Sequence, residues 1–432
     1  MSNRNASSPH PVSHQSYGWT VTFAGTGINL ALGVLYAWSI ISKQINKEWG
    51  WNETQTALPY SVAIAVFALM MVPAGRLQDK FGPRLVATLG GIFCGAGFIV
   101  AGLGQSLMGM IIGFGILAGT GIGCGYASAT PAAVKWFPPA RTGLIAGLVV
   151  AGFGLASVYI APLANYLLGS FGIQKSFMIL GGSFLVVVVL LSQLLKNPPA
   201  GYKARGNPGN PHSGVKKKGA TPAPVAADYD WHEMIRTPQF YLLWVMFVFA
   251  SGAGLMIIGK LAKIVDLQAG IKAGFIFVAL LAVGNAGGRI VAGVLSDKIG
   301  RTWTMFIVFV FQAVLMFMLR GLDTYGALFL ASVLIGFNYG ANLSVFPSAV
   351  KDYFGMKNFG LNYGLVFTAW GVGGILGPVL SGWIFDTSKN FNNAYLIASL
   401  CLLIAAGLTF MTGAPKEKAE GKILHKAANK AT

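Results

Sequence analysis

The sequence predicts an all-α membrane protein, with twelve transmembrane helices arranged as two six-helix bundles. Three observations carry this. Of the 432 residues, 54% are hydrophobic and only 10% are charged, whereas soluble domains carry about 25% charged residues. The apolar residues fall into twelve stretches close to the roughly 20 residues that cross a bilayer. Two polar signatures of the first half also recur in the second half at a nearly constant offset. So much apolar surface exceeds what one water-soluble core absorbs, since such cores stop growing near about 250–300 residues. It also excludes the disordered class, which requires low hydrophobicity.

Taken in order, the expected spans are 18–42, 55–75, 85–104, 107–134, 142–168 and 174–196, then 239–263, 271–292, 302–320, 325–349, 360–385 and 392–412. All are rich in small residues, which let helix backbones approach closely. GxxxG-like spacing appears at Gly119 and Gly123 and around Gly147. Residues 1–16 form a polar tail without the basic, apolar and small-residue succession of a cleaved signal peptide, so the first apolar segment is expected to remain as an anchor. The stretch 197–236 carries Lys203, Arg205 and Lys216 to Lys218 among many Pro and Gly, a composition that reads as a flexible linker. The domains are therefore an N-terminal tail (1–16), a six-helix bundle (17–196), a linker (197–236), a second bundle (237–413) and a basic tail (414–432).

Net charge is +18, from 31 basic and 13 acidic residues. The basic residues lie in short loops and tails rather than along one stripe, which argues against a nucleic-acid partner. With both termini in the cytoplasm, about 22 of them fall on the inner side, about 8 on the outer side and one, Arg289, within a span. That asymmetry matches the positive-inside rule. Cys94, Cys124 and Cys401 lie in apolar stretches, as buried thiols do.

The repeat is explicit. Gly75-Arg-Leu-Gln-Asp-Lys-Phe-Gly-Pro-Arg84 follows span 2, and Gly293-Val-Leu-Ser-Asp-Lys-Ile-Gly-Arg301 follows span 8; Asp79 and Asp297 are 218 positions apart. Lys135-Trp-Phe with Gly143 matches Asp352-Tyr-Phe with Gly360, those glycines being 217 apart. Duplicated halves suit a carrier that rocks about a site held between them.

These Gly-x-x-x-Asp-Lys-x-Gly-x-Arg loops resemble the signature of the major facilitator superfamily. Within it, the chain is similar to the oxalate/formate antiporter and monocarboxylate transporter group, most like bacterial homologues of the lactate-type carriers. The residues concerned are Trp136-Phe-Pro138, Arg236-Thr-Pro-Gln-Phe240, Asn285-Ala-Gly-Gly-Arg289 and Phe346-Pro-Ser348. The resemblance implies the major facilitator fold, no cofactor and no bound metal. It also implies that Asp79, Arg84, Asp297 and Arg301 latch one conformation of the cycle. The alternative is a topological anchor at the membrane surface.

Arg289 is the singular charge. An arginine at mid-span costs about 2.5–3.5 kcal/mol on insertion scales, and no carboxylate is near it in sequence. Either it snorkels to the headgroups, or it faces a cavity and binds an anion. Its planar fork matches a carboxylate, for an attraction of about 4 kcal/mol at 4 Å before desolvation. The family resemblance and the missing acid favour the anion site. Asn285 lies one turn earlier on the same face. The mammalian carriers usually have an aspartate there, so any scheme with a proton on that residue is in doubt. The resemblance also places Tyr36, Tyr126 and Tyr339 at aromatic positions of the antiporter site, and Leu35 where that site has a polar residue. The antiporter's second basic residue falls on Trp370. One fixed charge balances one carboxylate, so a monocarboxylate is expected, with Trp370 and Phe367 as an apolar wall. The tyrosines and these two aromatics have an alternative as ordinary packing residues.

Uptake of an anion against a negative-inside potential needs a cation, most simply a proton. Asp266, at the outer end of span 7 with Lys263 on the same face, is the candidate acceptor. Its alternative is an interfacial salt bridge, and anion exchange is the rival mechanism. The sequence holds no HExxH, phosphate loop or serine elbow, so an enzyme is not expected. Internal duplication around one arginine argues for a carrier rather than a channel. The expected partners are a small monocarboxylate, a proton and the lipid bilayer, with a monomer in the plasma or bacterial inner membrane as the working unit.

Overall fold

The computed structural model describes residues 12–137, 142–199, 202, 228–355 and 358–415. Among these the chain is all-helical, and eleven continuous helices are long and apolar enough to cross a membrane. One of them, Thr142–Ser192, has 51 residues. At about 1.5 Å per residue it would reach about 77 Å, far beyond a bilayer core of about 30 Å. It bends at Gly172, whose φ of 71° is open to glycine, and so supplies two crossings. Twelve spans result: Tyr17–Trp49 (span 1), Glu53–Phe81 (2), Pro83–Gly104 (3), Leu107–Val134 (4), 142–171 (5), 173–192 (6), Pro238–Ala269 (7), Gly274–Ile299 (8), Arg301–Gly321 (9), Tyr325–Phe354 (10), Phe359–Ser388 (11) and Asn392–Met411 (12).

The ends of the spans follow from local chemistry. Asn52 caps span 2 in a reciprocal box with Gln55. Thr237 caps span 7 with Pro238 at its first position, which accounts for the Arg-Thr-Pro signature. The two repeated loops turn at Gly82 and Gly300, with φ of 86° and 89°, so the second glycine of each motif is needed for its backbone conformation.

Two departures from the sequence expectation concern the ends of segments. The expected linker 197–236 is not loose throughout: Tyr229 N–H donates to Phe354 O at 3.0 Å, Asn358 and Asn362 donate to Tyr229 O, and Met234 is buried. Most of the linker, the basic tail after 415 and residues 1–11 lie outside the described residues. The first helix begins at Val12, inside the expected tail 1–16.

Packing depends on small residues. Span 2 runs along span 11 and span 5 along span 8, which joins the two halves. Within the second half, Gly284 and Gly288 press on the Val333 and Phe337 carbonyls of span 10, while Gly336 and Gly340 press on the Leu281 and Asn285 carbonyls of span 8. Gly119 and Gly123 seat span 4 on Ala63 and Phe67 of span 2. Gly147, expected to belong to such a pattern, meets nothing within 4 Å.

The face that carries the linker is held within each half. Arg301 reaches Asp297 and Asp352, both at 2.7 Å. In the first half Asp79 meets Lys135 at 3.6 Å, and Arg84 is exposed without an ion pair among the described residues. Lys135 and Asp352 occupy equivalent repeat positions, so the charge at that point is reversed between the halves.

Two expectations follow. Gly288→Ala places a methyl group against backbone that cannot yield, an overpacking cost of about 1–3 kcal/mol, and thermal unfolding of purified protein should fall accordingly while Gly147→Ala leaves it in place. Arg301→Ala removes a guanidinium shared by two acids and should cost about 1–3 kcal/mol; an equal loss for Arg84→Ala would show that the pairing is not responsible.

Candidate functional site

Span 8 presents Arg289 toward the first half. Its glycine face is occupied by span 10, against which the Asn285 side chain also lies, its Oδ1 beside Gly340, while Arg289, one turn on, extends to spans 1 and 5. Arg289 Nε donates to Asn285 Oδ1 at 3.0 Å, one terminal nitrogen donates to Val150 O of span 5 at 3.0 Å, and the other reaches the Tyr36 hydroxyl of span 1 at 3.5 Å. Gly154 of span 5 lies beside this crossing: a Cβ there would be in ordinary contact, 3.6 Å from the guanidinium carbon. No carboxylate pairs with Arg289 among the described residues, and its positive charge is met by neutral oxygens only.

From Tyr36 a hydrogen-bonded row crosses between the halves. Its hydroxyl is 3.3 Å from that of Tyr339, to which Trp370 Nε1 donates at 2.8 Å. Tyr36 lies in a 3₁₀ stretch, Gly33–Ala37, which interrupts span 1 at this depth. Tyr339 lies flat on span 7, where Gly254 has no side chain to obstruct it.

A cavity of about 10 Å³, on the scale of a single water, lies between Arg289, Tyr36, Phe67, Tyr126, Phe153 and Leu343, with Phe367 and Trp370 closing the side toward span 11. Tyr126 packs edge-on to Phe153, and Phe367 stacks on Trp370 at 5.1 Å between centroids. One guanidinium, two phenols and a wall of rings suit a small anion with an apolar end. The guanidinium nitrogens are all directed to protein oxygens.

Of the residues singled out from sequence, Arg289, Tyr36, Tyr126, Phe367 and Trp370 line the cavity. Asn285 and Tyr339 stand behind it, each bonded to a lining residue. Leu35 is buried in the 3₁₀ stretch but does not line the space. Asp266 is remote from it, held by Lys43 at 2.7 Å and Lys272 at 2.8 Å. The Lys263 beside it in sequence pairs instead with Glu53. The sequence reading missed Phe67, Phe153 and Leu343, which nothing but tertiary placement distinguishes from other core residues. It also missed a second buried charge. Lys260, counted there among the outer-side charges at the end of span 7, is 1% exposed and bound to Glu53; its position within the expected span 239–263 was the available signal. Among the described residues, no group of His, Cys, Asp and Glu comes together as a metal site.

The chain matches the Major Facilitator Superfamily over residues 18–319 and 264–430. It is 32% identical over 372 residues to an uncharacterized MFS-type transporter, YhjX, of Escherichia coli (strain K12), covering 84% of this chain and 88% of that one. It is 30% identical over 383 residues to the oxalate:formate antiporter of Oxalobacter formigenes, covering 87% and 86%, and 25% identical over 426 residues to monocarboxylate transporter 2 of Mesocricetus auratus, covering 94% and 86%. Its fold is that of a bacterial homolog of the human lysosomal transporter Spinster, with a TM-score of 0.66 at 18% identity over 91% of this chain and 96% of that one. A multi-pass helical membrane protein built from two related halves, the chain belongs to the major facilitator superfamily of transporters.

Proposed function

We propose that the protein carries small monocarboxylates such as lactate or pyruvate across the cell membrane by alternating access, together with a proton. The observation that carries this reading is Arg289: a guanidinium at the meeting of the halves, with neutral oxygens around it and no acid to balance it. A carboxylate entering the cavity supplies that balance through two parallel hydrogen bonds. A single charge favours a single carboxylate, because a second one would be left unpaired among Phe367, Trp370, Phe153 and Phe67. The aromatic lining suits a short alkyl group. The excess of basic residues on the linker face supports a cytoplasmic position for both termini.

The oxalate:formate antiporter among the relatives supports a second reading, carboxylate exchange without a proton. The two are separated by whether substrate entry acidifies the interior of sealed vesicles.

Uptake of labelled lactate into proteoliposomes, with other short acids as competitors, tests the site. Arg289→Ala removes charge-assisted hydrogen bonds worth about 1.5–3 kcal/mol, so affinity should fall about ten- to more than a hundredfold while the protein still inserts and folds. Unchanged uptake in that variant defeats the anion site. Trp370→Lys restores a second cation opposite the first and should move preference from lactate toward oxalate in a competition assay. Unaltered selectivity would contradict the charge-matching argument.

A further inference from the structure

Glu53 is the first residue of span 2 and is 1% exposed. Each of its carboxylate oxygens is held by a lysine from the other half: Oε2 by Lys260 at 2.5 Å and Oε1 by Lys263 at 2.5 Å. Lys260 also donates to Glu53 O at 2.9 Å and to Thr56 Oγ1 at 3.1 Å. Lys263 lies over the Phe385 ring of span 11. Asp386, on span 11, faces the same point, but its oxygens are taken up by the Glu53 and Thr54 backbone N–H groups and the Thr54 hydroxyl, at 2.6–2.9 Å. The cluster contains two acids and two lysines and is balanced as it stands. With Lys43–Asp266, these are the ion pairs that join the halves among the described residues, and all lie on the face opposite the linker.

Elsewhere the seam between spans 2 and 11 is apolar: Ile64 meets Gly374, and Ala68 meets Gly371. A buried ion pair adds little stability over apolar packing, but breaking one by removing a partner costs about 3–5 kcal/mol. Such a cluster is suited to a contact whose strength must change. When the halves part on this face, Glu53 stays with the first half and loses both lysines, and loss of nearby cations favours the protonated carboxyl. When they close, two ammonium groups return and favour the carboxylate. Thr56 and Tyr60 follow Glu53 on one face of span 2, and the buried Tyr60 hydroxyl has no hydrogen-bond partner among the described residues. The same face leads to Phe67 in the cavity lining, about 21 Å along the axis.

We infer that Glu53 is the proton-binding carboxylate of the transport cycle: it takes a proton from the outer solution when the halves part, and Lys260 and Lys263 expel that proton toward the cavity when they close. This rests on the reading of the protein as a proton-driven carboxylate carrier, and it assigns the proton to Glu53 rather than to Asp266.

The test uses the full chain in proteoliposomes, with labelled lactate and an internal pH dye, and in parallel spin labels at Lys47→Cys and Asn390→Cys to report separation of the halves. Wild-type protein should acidify the interior as lactate enters, and its label distance should lengthen as pH falls. Glu53→Gln should lose both the proton entry and the pH dependence, with the labels fixed at the longer distance. The double variant Glu53→Gln with Lys260→Gln removes the unpaired lysine and guards against misfolding; it should lose the proton entry as well. Glu53→Asp should restore it. Lactate-coupled proton entry that survives in the double variant overturns the inference alone. Wild-type exchange of carboxylates without proton entry overturns it together with symport. A wild type that moves none of the acids defeats the functional reading, and a pH-dependent label distance that persists in Glu53→Gln then overturns the gate too.

Discussion

Arg289 brings a full positive charge to the seam between two apolar bundles, and an unbalanced charge in a low-dielectric interior costs several kcal/mol. Much of the surrounding structure serves to make that tolerable without neutralising it. Glycines on the back of span 8 let span 10 press close and turn the arginine forward. Val150 and Asn285 offer oxygens to the guanidinium.

The halves are joined by two unlike kinds of contact. At the cavity, a charge-assisted hydrogen bond from Arg289 to Tyr36 continues through neutral ones to Tyr339 and Trp370. The neutral bonds contribute about 0.5–1.5 kcal/mol each, and those of a guanidinium about 1.5–3 kcal/mol. On the face opposite the linker, full charges interlock across the seam. On the linker face the ion pairs among the described residues stay within each half.

Much of the architecture was legible in the sequence because membrane spans are long and apolar and because the loop motif occurs twice. The bend at Gly172 falls between the expected spans 142–168 and 174–196, where one positive-φ glycine divides a continuous helix into two crossings. Arg289 was legible as a lone charge, and Asn285 followed from helical spacing. Tyr36, Tyr126, Tyr339 and Trp370 were reached through family resemblance, which composition does not supply. Glu53 and Lys260 were missed because they are 207 positions apart and each, seen alone, looks like a charge at the end of a span. Asp266 drew attention for its neighbours in sequence, yet its partners Lys43 and Lys272 come from other turns of the structure.

Recognition of negative charge by the cavity is tested by comparing two ligands of nearly equal shape. Calorimetric titration of the purified wild-type protein with lactate and with lactamide isolates the carboxylate from the alkyl group. Binding of lactate with lactamide at least about tenfold weaker, a difference of about 1.4 kcal/mol, is what the account predicts. Equal binding of the acid and its neutral amide would contradict it.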